Sequence, residues 1–247
     1  MITIRDRNER GPTKTDWLDS KHNFSFGYYQ DPNHMGFGPL RVLNEDKVKP
    51  GAGFGRHPHS DMEIVSYVLD GGLEHKDSMG TGSVIEPGDI QRMSAGTGVT
   101  HSEYNASETE PVHFLQIWFL PEKTGIKPSY DQRSIDREAT QNTFKLVMSP
   151  DGREDTMTIN QDIDFYVGRL NGSQPVQFKA GNGRIQWVQI ARGAVDLNDK
   201  TLRAGDGAAI REEDTLFFDN AADAEILLFD MADIRFIQPN KEKNDAF

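Results

Sequence analysis

Short apolar segments separated by turn residues are the feature that most limits the fold of this chain. Segments 62–69, 112–120, 163–167 and 225–230 are rich in β-branched and aromatic residues, and turns such as Asp70-Gly71-Gly72 stand between such runs. Turn signals at intervals of about eight to twelve residues are typical of β-sandwiches and barrels. The 23 glycines and 12 prolines agree with many turns. The sequence therefore predicts an all-β protein.

The strand pattern stops in the polar segment 121–143 and then restarts, which predicts two domains. The turn at 203–206 echoes the turn at 86–89, which indicates two copies of one β fold. We therefore predict an N-terminal domain over 1–139, a C-terminal domain over 140–235 and a polar tail over 236–247.

Composition narrows the classes of partner. The formal net charge of -12 disfavours direct binding to a nucleic acid. The longest apolar run, around Phe114 to Leu120, is too short to cross a membrane, and the charged first residues lack the apolar core of a signal peptide. The absence of cysteine excludes disulfides and thiolate ligands. We expect a cytoplasmic protein with no membrane segment.

Two short motifs carry the candidate chemistry: His57-Pro-His59 and His101-Ser-Glu103. Residues two apart on a strand point to the same face, so each pair can aim two ligand atoms into one cavity. Three imidazoles and a carboxylate suit a divalent transition metal and leave about two coordination positions open. All seven histidines lie within the first 113 residues, so only the N-terminal domain is predicted to bind metal.

The spacing of these motifs resembles that of the cupins. Gly51, His57, His59 and Glu63 match the first cupin motif, and Gly88, Gly98, His101 and Asn105 match the second one with a span about two residues longer. The longer span, the segment 93–105 and upstream stretches such as Trp17-Leu-Asp-Ser20 resemble the pirin family. The likeness runs to about Arg133 and is closest to bacterial pirin-like quercetin 2,3-dioxygenases.

The resemblance implies a bicupin, with two jelly-roll-like barrels of which only the first holds metal. Its metal ligands would be His57, His59, His101 and Glu103. Most other cupins use the glutamate at the position of Glu63, so both carboxylates are candidates, and the closer likeness to pirins favours Glu103. Pirins usually hold iron, which makes Fe(II) the expected metal, while Mn, Ni, Co, Cu and Zn stay open.

The resemblance also implies an activity, the opening of the central ring of a flavonol such as quercetin with O₂. The metal would act as a Lewis acid, and Glu103 would be the catalytic base. The alternative is an iron-binding regulatory protein that senses redox state and docks onto a protein partner. Pirins are often monomeric, so a monomer is expected.

Overall fold

The computed structural model describes residues 1–234, which form two β-barrel domains. Helical structure within these residues consists of two 3₁₀ turns, Glu138–Thr140 and Arg153–Asp155. No helix across the described part of the chain is both long enough and apolar enough to span a bilayer. The predicted polar tail at 236–247 lies outside the described residues.

Residues 1–234 form twenty strands. The first twelve are β1 (Ile2–Arg5), β2 (Gly11–Lys14), β3 (Leu18–His22), β4 (Leu40–Val48), β5 (Gly53–His59), β6 (Glu63–Asp70), β7 (Leu73–Asp77), β8 (Gly82–Ile85), β9 (Asp89–Ser94), β10 (Val99–Asn105), β11 (Val112–Phe119) and β12 (Ser129–Ser134). The other eight are β13 (Phe144–Ser149), β14 (Met157–Thr158), β15 (Ile163–Gly172), β16 (Val176–Lys179), β17 (Arg184–Leu197), β18 (Lys200–Arg203), β19 (Gly207–Ile210) and β20 (Thr215–Ala232).

The N-terminal barrel consists of two antiparallel sheets. Its larger sheet has the order β12-β9-β6-β11-β4-β3-β2, and its smaller sheet has the order β5-β10-β7-β8. Strand β12 lies in the polar segment that interrupts the apolar pattern, and it pairs with β9 from Ser129 opposite Ser94 to Ser134 opposite Asp89. The segment between the domains therefore completes the first barrel before it enters the second one.

The C-terminal barrel is built on a nine-stranded sheet with the main order β1-β19-β17-β20-β15-β13-β14, in which β16 pairs with β20 and β18 with β17. Its first strand comes from the start of the chain, where Ile2 pairs with Ile210 and Arg5 with Gly207. Strand β1 thus belongs to the C-terminal sheet, although it lies within the predicted domain 1–139. The antiparallel pairing of β17, β20 and β15 forms the centre of this domain.

A hydrophobic core joins the two domains. Leu115, Ile117 and Phe119 of the N-terminal barrel are buried in one cluster with Phe165 and Phe229 of the C-terminal barrel. The Phe229 ring lies edge-on to Phe119 at 5.3 Å and to Phe165 at 4.6 Å between centroids. A shared core of this kind holds the barrels in one relative orientation, and a hydrogen bond from the hydroxyl of the buried Tyr67 to Glu225 crosses the same boundary.

Candidate metal centre

The smaller sheet of the N-terminal barrel brings three of the predicted ligands together. His101 on β10 pairs directly with His57 on β5, and Val99 pairs with His59. One ring nitrogen from each of His57, His59 and His101 lies within 4.8 Å of the other two. The alternation along β5 and β10 therefore places these side chains on one face, as the spacing predicts.

An irregular pairing of β5 with β10 shapes this cluster. The register shifts by one residue between the His101 and Glu103 pairs, which is a β-bulge, and bulges re-aim side chains. Close contact of the strands requires Gly53, because a Cβ atom there would lie 2.3 Å from the carbonyl oxygen of Glu103. Within the bulge, the Gly55 carbonyl accepts a hydrogen bond of 2.7 Å from Nδ1 of His57.

The hydrogen bond to Gly55 determines how His57 faces the cluster. A carbonyl oxygen only accepts, so Nδ1 of His57 is the donor, and the neutral form of this ring then has a lone pair at Nε2. That atom lies 3.0 Å from Nε2 of His101, and Nε2 of His59 is buried without a hydrogen-bond partner.

Burial and neighbouring charges keep the rings of His59 and His101 uncharged. Burial, followed by the charges of the neighbouring histidines, lowers the pKa of His101 to about 2. Burial and then His57 lower the pKa of His59 to about 4. Neutral imidazole nitrogens that face one another fit a divalent transition metal, which prefers nitrogen ligands more than Mg²⁺ or Ca²⁺ do.

Glu103 is buried beside the cluster, and one of its carboxylate oxygens lies within 4.8 Å of a ring nitrogen of His75 and of a ring nitrogen of His101. Its Oε1 accepts from the Ser66 hydroxyl at 3.2 Å, and its Oε2 accepts from Nε2 of Gln116 at 2.9 Å. Burial raises the pKa of Glu103 to about 7, with Asp46 adding to the effect and the two hydrogen bonds opposing it. The carboxylate is therefore held in one orientation from both sides.

Two residue groups among residues 1–234 could hold a metal, and Glu63, the other candidate carboxylate, belongs to neither of them. Its Oε2 accepts from the Ser94 hydroxyl at 2.9 Å and from the backbone N–H of Asn160 at 3.1 Å. Asn160 belongs to the C-terminal domain, so this buried carboxylate joins the two domains. Burial raises the pKa of Glu63, and these hydrogen bonds oppose the shift.

His75 and Asp77 on β7 lie beside the cluster, and the sequence alone did not reveal their role. Both side chains are buried, and Nε2 of His75 lies 3.1 Å from Oδ2 of Asp77. On its other side, Nδ1 of His75 lies 3.4 Å from Nδ1 of His101. The spacing of two residues in His75-x-Asp77 was the available signal, but the strand that faces β10 cannot be read from that spacing.

The remaining three histidines lie apart from the cluster. His22 is buried between Thr13 and Asn44, with Nδ1 2.7 Å from the Asn44 side-chain oxygen. His34 bonds to Asp31, and His113 bonds to Glu45, which also accepts from Arg10 at 2.7 Å. Their contacts are those of structural histidines.

A cavity of about 330 Å³ opens at the cluster. It is lined by Pro58, His59, Ser60, Ser78, Gly98, Val99 and Thr100. Behind His59, Trp118 packs edge-on at 4.9 Å, and Phe26 packs edge-on to Trp118 at 5.4 Å. A larger cleft of about 710 Å³ lies between the domains, but none of the clustered histidines lines it. The smaller cavity is therefore the candidate substrate site.

Comparison with known proteins agrees with this architecture. Residues 3–119 match the family described as Pirin, and residues 146–231 match the Quercetinase C-terminal cupin domain. The chain is 47% identical over 232 residues to the Quercetin 2,3-dioxygenase of Escherichia coli strain K12, covering 94% of this chain and 99% of that protein. It is 36% identical over 94% of its length to a putative quercetin 2,3-dioxygenase of Pseudomonas aeruginosa, all of which is covered.

A solved structure gives the same result. The crystal structure of the Escherichia coli pirin YhhW in complex with nickel(II) superposes with a TM-score of 0.90 at 44% identity, over 95% of this chain and 100% of that one. The prediction of an all-β bicupin is confirmed. The chain belongs to the pirin family.

Proposed function

We propose that this protein is a metal-dependent dioxygenase that opens the central ring of a flavonol such as quercetin with O₂. The observation that carries the proposal is the convergence of three imidazoles, next to a buried glutamate, beside a cavity that His59 lines. Similarity over nearly the whole length to a protein named Quercetin 2,3-dioxygenase supports an oxidoreductase that acts on a small molecule.

The proposed metal ligands are His57, His59, His101 and Glu103. The donor set suits Fe(II), and the nickel(II) complex of the similar Escherichia coli pirin supports nickel as well. A bound divalent metal would supply Lewis acidity toward the oxygens of the flavonol and a place for reaction with O₂.

The chain itself would bind and deprotonate the substrate. A cavity of about 330 Å³ is within the range of about 300–1,000 Å³ that small-molecule sites occupy, so it accommodates one edge of a planar ring system. Glu103 would take the proton from the flavonol hydroxyl, since its carboxylate is fixed by Ser66 and Gln116 at the cluster. Trp118 would keep water away from the His59 side of the site.

The test is oxygen uptake with quercetin by protein loaded with Fe(II), Ni(II), Co(II) or Mn(II). We expect loss of quercetin absorbance in step with O₂ consumption and release of carbon monoxide. His101→Ala should remove both metal and activity, whereas His34→Ala, a control outside the cluster, should retain both. Absence of turnover with every metal would refute the proposed function.

A further inference from the structure

We propose that His75 and Asp77 position His101 for metal binding by determining which of its ring nitrogens carries the proton. The three residues form a hydrogen-bonded chain from β7 to β10, where His101 pairs with Asp77 and Glu103 pairs with His75. The inference rests on the proposed function, because it requires that His101 binds a metal through Nε2.

The hydrogen-bonded chain begins at Asp77, whose carboxylate is held in place. Oδ1 of Asp77 accepts backbone N–H groups from Met79 at 2.8 Å and from Thr81 at 3.0 Å. These bonds leave Oδ2 facing Nε2 of His75 at 3.1 Å. A carboxylate only accepts, so Nε2 of His75 is the donor, and a neutral His75 then has a lone pair at Nδ1.

The second contact of the hydrogen-bonded chain, between His75 and His101, determines which ring nitrogen of His101 carries the proton. Nδ1 of His75 lies 3.4 Å from Nδ1 of His101, so the two nitrogens form a favourable contact when His101 carries its proton on Nδ1. Nε2 of His101 is then a bare lone pair, directed at Nε2 of His57 at 3.0 Å. Two such lone pairs repel each other unless a cation lies between them, and a metal ion removes that repulsion.

His75 could instead be read as a ligand, because it forms a group with His101 and Glu103. Both of its ring nitrogens are already in use, Nε2 with Asp77 and Nδ1 with His101. Its ring is also held in place by Tyr130, whose ring centroid lies 5.0 Å away. Without a nitrogen free to face His57 and His59, His75 is a positioning residue rather than a ligand.

Asp77→Asn is the direct test. The asparagine oxygen can keep both backbone hydrogen bonds, but its NH₂ group would then face Nε2 of His75 and donate to it. The proton of His75 would move to Nδ1 and oppose the N–H of His101. We expect nickel(II), titrated alone into the full chain by calorimetry, to bind about 10–100-fold more weakly. Asp31→Asn is the matched control, because Asp31 bonds to Nδ1 of His34 away from the cluster.

A second pair of variants separates hydrogen bonding from packing. His75→Gln can still donate to Asp77 and accept from His101, so it should bind nickel like the wild type. His75→Leu removes both functions and should weaken binding about 10–100-fold. Nitrogen NMR of the histidine rings adds a readout that does not depend on activity. Asp77→Asn should move the proton of His75 from Nε2 to Nδ1.

Wild-type nickel affinity in both Asp77→Asn and His75→Leu would overturn the proposal. Equal losses in His75→Gln and His75→Leu would also overturn it, because packing alone would then explain them. Should Asp77→Asn fail to fold, the two His75 variants decide the question. Nickel binding is measured without flavonol, so a wild type that binds nickel but leaves quercetin intact refutes the proposed activity alone.

Discussion

Replacement of Glu63 separates its proposed structural role from metal binding. The carboxylate is fully buried and accepts from Ser94 at 2.9 Å and from the backbone and side chain of Asn160 at 3.1 and 3.3 Å. Glu63→Ala leaves the buried Ser94 hydroxyl without this acceptor, at about 1–3 kcal/mol, and also removes the bonds from Asn160, which is itself exposed. We expect the free energy of unfolding to fall by roughly 2–5 kcal/mol, since the removed side chain also leaves a cavity.

Glu63→Gln should lower the free energy of unfolding far less than Glu63→Ala does. The bonds from Ser94 and Asn160 converge on Oε2, so an amide oxygen at that position retains them, and the amide NH₂ gives up only a 3.3 Å contact. Burial raises the pKa of Glu63 above its ordinary 4.5, so its charge is a net cost to the folded state. Replacement by Gln should change stability by less than about 1 kcal/mol. The stability of Glu63→Gln relative to the wild type should increase as the pH rises above 4.5, because the unfolded wild type loses its Glu63 proton there more readily than the folded protein does.

The assays are urea unfolding followed by circular dichroism, and nickel content by mass spectrometry. Glu63→Gln and Glu63→Ala should both retain stoichiometric nickel, provided that Glu63→Ala is studied below its unfolding transition. Glu103→Gln, an equally buried and isosteric change, should lose nickel. The reasoning is refuted if Glu63→Gln loses the metal while Glu103→Gln keeps it, or if the Ala variant is as stable as the Gln variant.

Three further changes test the fold. Burial raises the pKa of Glu45, but its hydrogen bonds to a histidine and an arginine outweigh this and lower it from 4.5 to about 2. The stability that this provides is complete above pH 4.5 and is lost as the pH falls toward 2, so Glu45→Gln should cost up to about 3 kcal/mol at pH 7 and almost nothing at pH 2 in urea titrations. Tyr67→Phe removes a hydrogen bond between the domains and should cost about 1–2 kcal/mol, whereas Tyr104→Phe, at a site 39% exposed, should be neutral in the same titration. Phe229→Ala should cost about 3–5 kcal/mol, against less than about 1 kcal/mol for the exposed Phe217→Ala; equal costs would refute a shared core.

Local patterns predict only part of the site. The two-residue period along β5 and β10 was enough to place His57, His59 and His101 on one face, because side-chain direction in a strand is a local property. The position of His75 depends on which strand pairs with β10. That pairing is determined by the packing of all the strands of the barrel rather than by the residues near His75.

Strand pairing between distant segments also explains what the sequence missed in the fold. Strand β12 (Ser129–Ser134) has no apolar alternation, and its residues are half-buried or exposed against β9. Nothing in the four residues of strand β1 indicates that they pair with β19 about 200 residues later. A polar strand such as β12, or a strand that pairs across a long sequence separation such as β1, forms because of the strand it pairs with. Its own residues do not predict it.

The C-terminal barrel contributes to the site through the strands that it packs against. Ser66 and Gln116, which hold Glu103, lie on β6 and β11 of the N-terminal barrel. Their neighbours along those strands, Val65, Tyr67, Leu115 and Ile117, point the other way and are buried in the core shared with the C-terminal domain.

Consecutive residues of a strand share one backbone. If the shared core packs less tightly, the backbone of β6 and β11 becomes more mobile, and so do Ser66 and Gln116, the two groups that fix Glu103. Phe229→Ala should therefore weaken nickel binding although Phe229 touches no histidine of the cluster, and Phe217→Ala should leave the affinity unchanged. Nickel affinity that is insensitive to Phe229→Ala in the folded protein would mean that the N-terminal barrel holds Glu103 without help from its neighbour.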